Sequence, residues 1–325
     1  MRSAIAVFRL AVICCAIVVF RPEARAAPAS CSFSITSVNF GNIDVTTNTT
    51  FDTTATFNAT CSGDKNKTVR VCPNIAEGTG GSSSGNPRLL LSGSNQLNYN
   101  LYQNSSRTTV WGSYLWSYSG TYTPPTVDIL LDSHGAGSTS VTMYARVSAG
   151  QQTKPAGTYT SSFASPYTAI AYAYSTVGTC ATIGSTSATA APFTVTAVNT
   201  TACSVSATAV DFGSSGVLAI TIDASGTLTL TCTASAPYTV ALNGGNDLAT
   251  DPTQRKMSKG TEKITYGLYR NSTRTLPWGD TTGTNTAAGT GTGLSQNLAV
   301  YGRVPIQTTP SPGNYSDTVI VTLTY

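Results

Sequence analysis

The chain has 325 residues, with 18 Lys and Arg, 14 Asp and Glu, one His and a formal net charge of +4. Only 10% of its residues are charged, against about 25% in ordinary soluble proteins. That excludes a mainly helical protein, whose surfaces Lys, Glu and Arg normally fill, and a basic stripe for nucleic acid. With 40% hydrophobic and 9% aromatic residues the chain is not disordered either. What remains is an uncharged, Thr- and Ser-coated, exported β protein.

Residues 1–26 read as a signal peptide. Arg2 opens a positive start, LAVICCAIVVF (10–20) is apolar, and Ala24-Arg25-Ala26 is an A-x-A cleavage site. The apolar run is too short to span a bilayer comfortably. Cleavage leaves 14 basic and 13 acidic residues, net +1, so steering of anionic partners is not a theme. It also leaves six cysteines, Cys31, Cys61, Cys72, Cys180, Cys203 and Cys232, an even number that in an exported protein reads as disulfides. There is no CxxC pair or His cluster to hold zinc, and no cofactor is expected.

An internal repeat organises the rest. CSFSITSVNFG (31–41) matches CSVSATAVDFG (203–213), NATC (58–61) matches TLTC (229–232), and YARV with PAGTY (144–159) answers YGRV with SPGNY (301–315). YNLYQNSSRTTVWG (99–112) and YGLYRNSTRTLPWG (266–279) are identical at nine of fourteen positions. The domains are placed at 27–180 and 193–325, with a linker at 181–192. Apolar residues recur with period two: Ala55, Phe57, Ala59 and Cys61, then Val141, Met143, Ala145 and Val147, then Leu228, Leu230 and Cys232, and finally Val319, Val321, Leu323 and Tyr325. Short alternating runs punctuated by Gly, Pro and Asn turns indicate antiparallel sandwiches. Equivalent positions in the repeat propose Cys31–Cys61 and Cys203–Cys232, leaving Cys72–Cys180. Four cysteines in the first domain allow three connectivities, and only the likeness of the copies selects this one.

These blocks, with the terminal SPGNYSDTVIVTLTY (311–325), resemble the spore coat protein U domain family, which includes pilins and two-domain tip adhesins of archaic (Csu-type) chaperone–usher pili. The resemblance implies an all-β fold of two tandem immunoglobulin-like sandwiches, the second an incomplete pilin fold that needs a donor strand. It implies a periplasmic chaperone, an outer-membrane usher and the next pilin subunit as partners, export through the periplasm, and display at the tip of a surface pilus. The physics is β-augmentation, in which a guest strand pairs with an open edge and fills the core with alternate side chains.

Three stretches bear on that expectation. The run Val319, Val321, Leu323, Tyr325 is the expected strand-accepting or chaperone-binding edge, unless the sandwich simply ends there. Only Ala27-Pro28-Ala29-Ser30 precede Cys31 after cleavage, which gives no donor segment and points to the pilus tip. APFTVTAVNTTAC (191–203) carries Phe193, Val195 and Ala197 between threonines, as a donor strand completing the first domain in cis would; a plain inter-domain strand is the alternative.

The first domain also carries an insertion. Gly112 to Tyr144 spans 32 positions and Gly279 to Tyr301 spans 22, ten fewer. The inserted loop holds Tyr114, Leu115, Trp116, Tyr118 and Tyr122, with Phe163 and Tyr167 in a second candidate loop. Aromatic loops at one pole of a sandwich form a binding surface for an abiotic or host surface, unless Trp116 and Tyr118 fold into the core. Trp111, Trp278, Tyr102, Tyr269, Arg107, Arg274, Arg146 and Arg303 occur in both copies and read as packing. His134 stands alone beside Asp132, with no nucleophile motif near it, so no enzyme is expected. A minor structural pilin or coat subunit, and a carbohydrate-binding adhesin, remain the alternative readings.

Overall fold

The computed structural model describes residues 28–83, 87–115, 122–184 and 188–325. The first unit runs β1 (Ser30–Ile35), β2 (Val38–Ile43), β3 (Phe51–Ser62), β4 (Thr68–Ile75), β5 (Arg88–Ser92), β6 (Asn95–Tyr102), β7 (Val127–Leu130), β8 (Ala136–Val147), β9 (Gly157–Phe163), β10 (Thr168–Tyr174) and β11 (Phe193–Asn199). The second runs β12 (Cys203–Ala207), β13 (Ile222–Cys232), β14 (Pro237–Leu242), β15 (Arg255–Lys259), β16 (Glu262–Tyr269), β17 (Ala287–Thr290), β18 (Ser295–Val304) and β19 (Val321–Thr324).

In the first unit an eight-stranded sheet, ordered β1-β3-β8-β6-β5-β9-β11-β2, faces a three-stranded one, β10-β4-β7. Consecutive β1 and β2 stand at opposite ends of that order, so the large sheet curls until its two edges meet. The second unit repeats the plan in β12-β13-β18-β16-β15 and β17-β14-β19. Strand alternation delivers the core: Ala55, Phe57, Ala59 and Cys61 of β3 are buried, as are Met143, Ala145 and Val147 of β8, while the alternate threonines and serines face out. Disulfides join Cys31 to Cys61 and Cys203 to Cys232 across paired strands, and Cys72 to Cys180 beneath the small sheet.

At the centre of each unit lie a fully buried tryptophan and a fully buried arginine. Trp111 donates its indole N–H to the Pro73 carbonyl, and Trp278 donates to that of Val240. Arg88 donates Nε to the Ala76 carbonyl and Nη2 to those of Ile75 and Trp111. Arg255 repeats this on Asn243, Leu242 and Trp278. A guanidinium is tolerated in a core only when its donors are used, and here they tie the loop after β4 or β14 to the tryptophan strand.

The arginines expected in the core sit elsewhere. Arg146 and Arg303 are at the surface, each paired at 2.7 Å with Asp52 or Asp223, and Arg107 and Arg274 join those carboxylates at 3.2 Å. The guanidinium groups of the latter two lie over Tyr144 and Tyr301, with Cζ at 5.6 and 5.7 Å from the ring centroids. Leu89 and Leu90 are buried in β5.

The hydrogen bonds from Arg146 and Arg303 hold the Asp52 and Asp223 carboxyls below the usual carboxylate range. A carboxyl depressed in the folded state stabilises above its unfolded pKa, about 3.9, and loses that contribution as pH falls through the folded value. The melting-temperature deficit of Asp52→Asn is therefore expected to be present at pH 7 and to shrink below about pH 4, measured by thermal melts across that window.

Candidate functional site

The site begins with β11, which follows the first repeat in sequence and lies in that repeat's sheet. It runs antiparallel to β9, Phe193 opposite Phe163, Val195 opposite Ser161 and Ala197 opposite Tyr159, and parallel to β2 on its other side. Phe193, Val195 and Ala197 are buried, and the Phe193 ring stacks on that of Phe163 at 4.4 Å. Residues 193–199 thus pack with the first unit, although they lie beyond the linker expected at 181–192. The far end is fixed by Asn199, whose amide donates to the Lys154 and Pro155 carbonyls and accepts from the Val45 N–H. Phe163, expected on an exposed binding loop, is a core residue of β9. Its burial corrects its assignment to the binding surface.

The second unit has the same frame without that strand. Repeat positions place Tyr315, Asp317 and Val319 where β9 has Tyr159, Ser161 and Phe163, and Val210 and Phe212 where β2 has Val38 and Phe40. Pairing agrees, since Ser316 bridges Ser258 as Thr160 bridges Leu91. Tyr159, Ser161 and Phe163 are buried under β11, whereas Tyr315, Asp317 and Val319 are only half-buried. Among the described residues no strand lies between segments 207–213 and 313–319. Two adjoining cavities of about 640 and 430 Å³ occupy the gap, floored by Leu228, Leu242, Met257, Tyr266, Leu268 and Val300.

Polar contacts hold one wall of this groove in place. Asp317 Oδ1 accepts from the N–H groups of Asn246 and Thr318 at 2.8 Å, and Oδ2 accepts from the Tyr266 hydroxyl at 2.6 Å. Burial, reinforced by that hydrogen bond, pushes the Tyr266 hydroxyl well above its ordinary pKa, so it stays a donor. Burial lowers the pKa of Arg255, and the nearby Tyr266 and Asp317 counter this only in part. At the other end the Glu262 carboxylate accepts from the backbone N–H and hydroxyl of Ser311 and from the Tyr315 hydroxyl.

Segment 208–213 leans into the gap. A Cβ at Gly302 would meet Val210 Cγ1 at 2.7 Å and Phe212 Cζ at 2.8 Å, and one at Gly226 would meet Val210 Cγ2 at 3.0 Å. The first unit carries Ala145 and Ala55 at those positions. Phe212 also contacts the Tyr266 ring edge-on at 6.0 Å. With no strand to pair with, the segment covers part of the apolar floor itself, using space that only glycine leaves free.

Of the expected accepting edge, Val319 and Val321 line the groove. Leu323 packs against the second core from β19, which pairs with β14, and Tyr325 is 58% exposed. In the inserted loop Tyr114 is 45% exposed, and Leu115 and Tyr122 are half-buried. The loop leaves the sheet through Ser113, whose N–H donates to the Tyr122 carbonyl, and the Tyr114 N–H donates to the Asn74 side chain. Trp116 and Tyr118 lie outside the described residues. Tyr167 is half-buried against the first core, beside the cis Ser165–Pro166 bond. Sequence reasoning missed the buried Arg88 and Arg255 and the inward-row residue Asp317; recurrence of the arginines in both copies was the available signal.

The two units are tandem curled β-sandwiches, the first closed by β11 and the second, among the described residues, without the equivalent strand. The chain belongs to the Spore Coat Protein U domain family, whose model matches residues 21–164 and again 189–322. It is 35% identical to Protein U of Myxococcus xanthus over 81 residues, a match taking in 25% of this chain and 45% of that protein. The fold is similar to one in the CsuC–CsuE chaperone–tip adhesion subunit pre-assembly complex from the archaic chaperone–usher Csu pili of Acinetobacter baumannii. That likeness has a TM-score of 0.52 at 16% identity and covers 91% of this chain and 100% of that one. The CupB6 tip adhesin from Pseudomonas aeruginosa also matches, at a TM-score of 0.39 and 14% identity, over 92% of this chain and 95% of that one.

Two substitutions separate the closed unit from the open one. Phe193→Ala is expected to destabilise the first unit by about 3 kcal/mol, read from its transition in urea. Gly302→Ala is expected to lift Val210 and Phe212 off the floor, raising hydrogen exchange of amides 208–213 and costing the second unit about 1–3 kcal/mol.

Proposed function

We propose that this chain is the tip adhesin of an archaic chaperone–usher pilus. The second unit would accept first a periplasmic chaperone's strand and then the N-terminal strand of the next pilin, exchanged at the outer-membrane usher. The observation that carries the reading is the contrast between the copies: one frame is closed by β11, and the same frame in the second unit is open along a groove with an apolar floor. A strand entering there gains backbone pairing on the groove's edges together with burial of alternate apolar side chains. Each buried aliphatic or aromatic group contributes about 1.5–3 kcal/mol.

The closed first unit is the end that meets the surface. Tyr114, with Leu115 and Tyr122 behind it, marks the base of a loop that the second unit lacks. Exposed aromatic and aliphatic groups without neighbouring charge bury apolar area against abiotic material, which is how the pilus would start a biofilm. A minor structural pilin would leave this loop without a task, and a carbohydrate-binding adhesin would be inhibited by soluble sugar.

Two measurements test the halves separately. Val319→Arg is expected to abolish co-purification with the periplasmic chaperone and loss of the subunit from pili should follow, while the first unit melts as in the wild type. Leu115→Ser with Trp116→Ser is expected to reduce attachment to plastic to that of pili lacking the subunit, with pilus number unchanged and the protein still at fibre ends by immunogold. Attachment unaffected by the pair would remove this loop from the adhesive mechanism.

A further inference from the structure

We propose that the groove of the second unit selects a strand bringing a hydrogen-bond-donating side chain to Asp317, and thereby refuses the chain's own β11. The inference rests on the strand-accepting reading above. β11 supplies the template: its inward residues Phe193, Val195 and Ala197 stand opposite Phe163, Ser161 and Tyr159. Carried across the repeat, the three positions of a guest strand stand opposite Val319, Asp317 and Tyr315. The outer two face an aliphatic and an aromatic group and ask for apolar partners, with more room at the first because valine replaces phenylalanine.

The middle position differs in kind. In the first unit it is Ser161, a neutral hydroxyl that accepts from the Gly80 N–H and lies under Val195. In the second it is a carboxylate, held on the inward row by Asn246, Thr318 and Tyr266. Those three donors leave unused acceptor capacity on a carboxylate, which has about four lone-pair sites. Arg255 beneath makes no hydrogen bond to Asp317: four of its five N–H groups go to the carbonyls of Asn243, Pro252, Leu242 and Trp278. A guest strand removes water from that remaining site. An aliphatic residue such as Val195 would cover it with nothing to give, whereas a Thr, Ser or Lys opposite, with Cβ atoms about 5 Å apart, can donate to it. One chain carrying two grooves on one frame, and one strand that fits the first, thus keeps them distinct by a single charged residue.

The test uses the full-length chain and fluorescent peptides of residues 191–199, one native and one carrying Val195→Thr, with binding read by anisotropy. The wild-type protein is expected to bind the V195T peptide roughly tenfold tighter than the native one. In Asp317→Ser, which restores the hydroxyl of the first unit, that preference should vanish or reverse. Asp317→Asn, which keeps the side chain's size, should reduce it should the serine variant prove unstable. Equal affinities on the wild type, or a threonine preference that survives both substitutions, would overturn the selection by Asp317 while leaving a strand-accepting groove. Binding of neither peptide to any of the three proteins would overturn the strand-accepting reading itself.

Discussion

An open sheet edge facing an uncovered half-core is the constraint from which the rest of this molecule follows. Backbone N–H and C=O groups along such an edge want partners, and the apolar side chains behind them want cover. In the first unit seven residues of β11 meet both needs at once, pairing with β9 on one side and β2 on the other while burying Phe193, Val195 and Ala197. In the second unit none of the described residues occupies that place, and the inward row on 313–319 stays half in solvent. The two copies are therefore a controlled comparison within one chain. At this edge their difference lies in one strand and in the few residues that respond to its absence.

What makes the comparison sound is the rigidity of the frame around the gap. The buried Trp111–Arg88 and Trp278–Arg255 pairs make the same hydrogen bonds to equivalent carbonyls in both units. An arginine so placed sets the geometry of three chain segments with one planar group. The floor of each groove is thus built the same way whether or not a strand lies on it. Adaptation is confined to the segment 208–213, which settles onto Gly226 and Gly302.

Much of this was legible in the residues. Period-two alternation located β3, β8, β13 and the terminal strand, because one face of each is core and the other is water. Phe193, Val195 and Ala197 alternate with threonines in the sequence, and that alternation is the inward row of β11. The groove's position was less legible. The run Val319, Val321, Leu323, Tyr325 alternates without a break, yet its first half borders the gap while β19 is an interior pairing with β14. Which half is exposed depends on partners distant in sequence. Phe163 reads as loop because it and Tyr167 flank Ser165-Pro166, yet it closes the inward row of β9, where β11 covers it and Ser161. Arg88 and Arg255 escaped notice since charge normally marks the surface.

Register explains why so small a change as Ser161 to Asp317 carries weight. In β11 Thr194 and Thr196 alternate with the inward residues, so a slip of one would turn hydroxyls into the core and Val195 out to water. A guest strand is consequently held to registers two residues apart, in each of which an inward side chain stands opposite residue 317. No sliding avoids that contact without also leaving one end of the apolar floor uncovered. A polar residue at the rim of the groove could be bypassed by a shifted strand. At the centre of the inward row it is met by every strand that fills the groove, which makes it the position where two otherwise matching frames are most economically told apart.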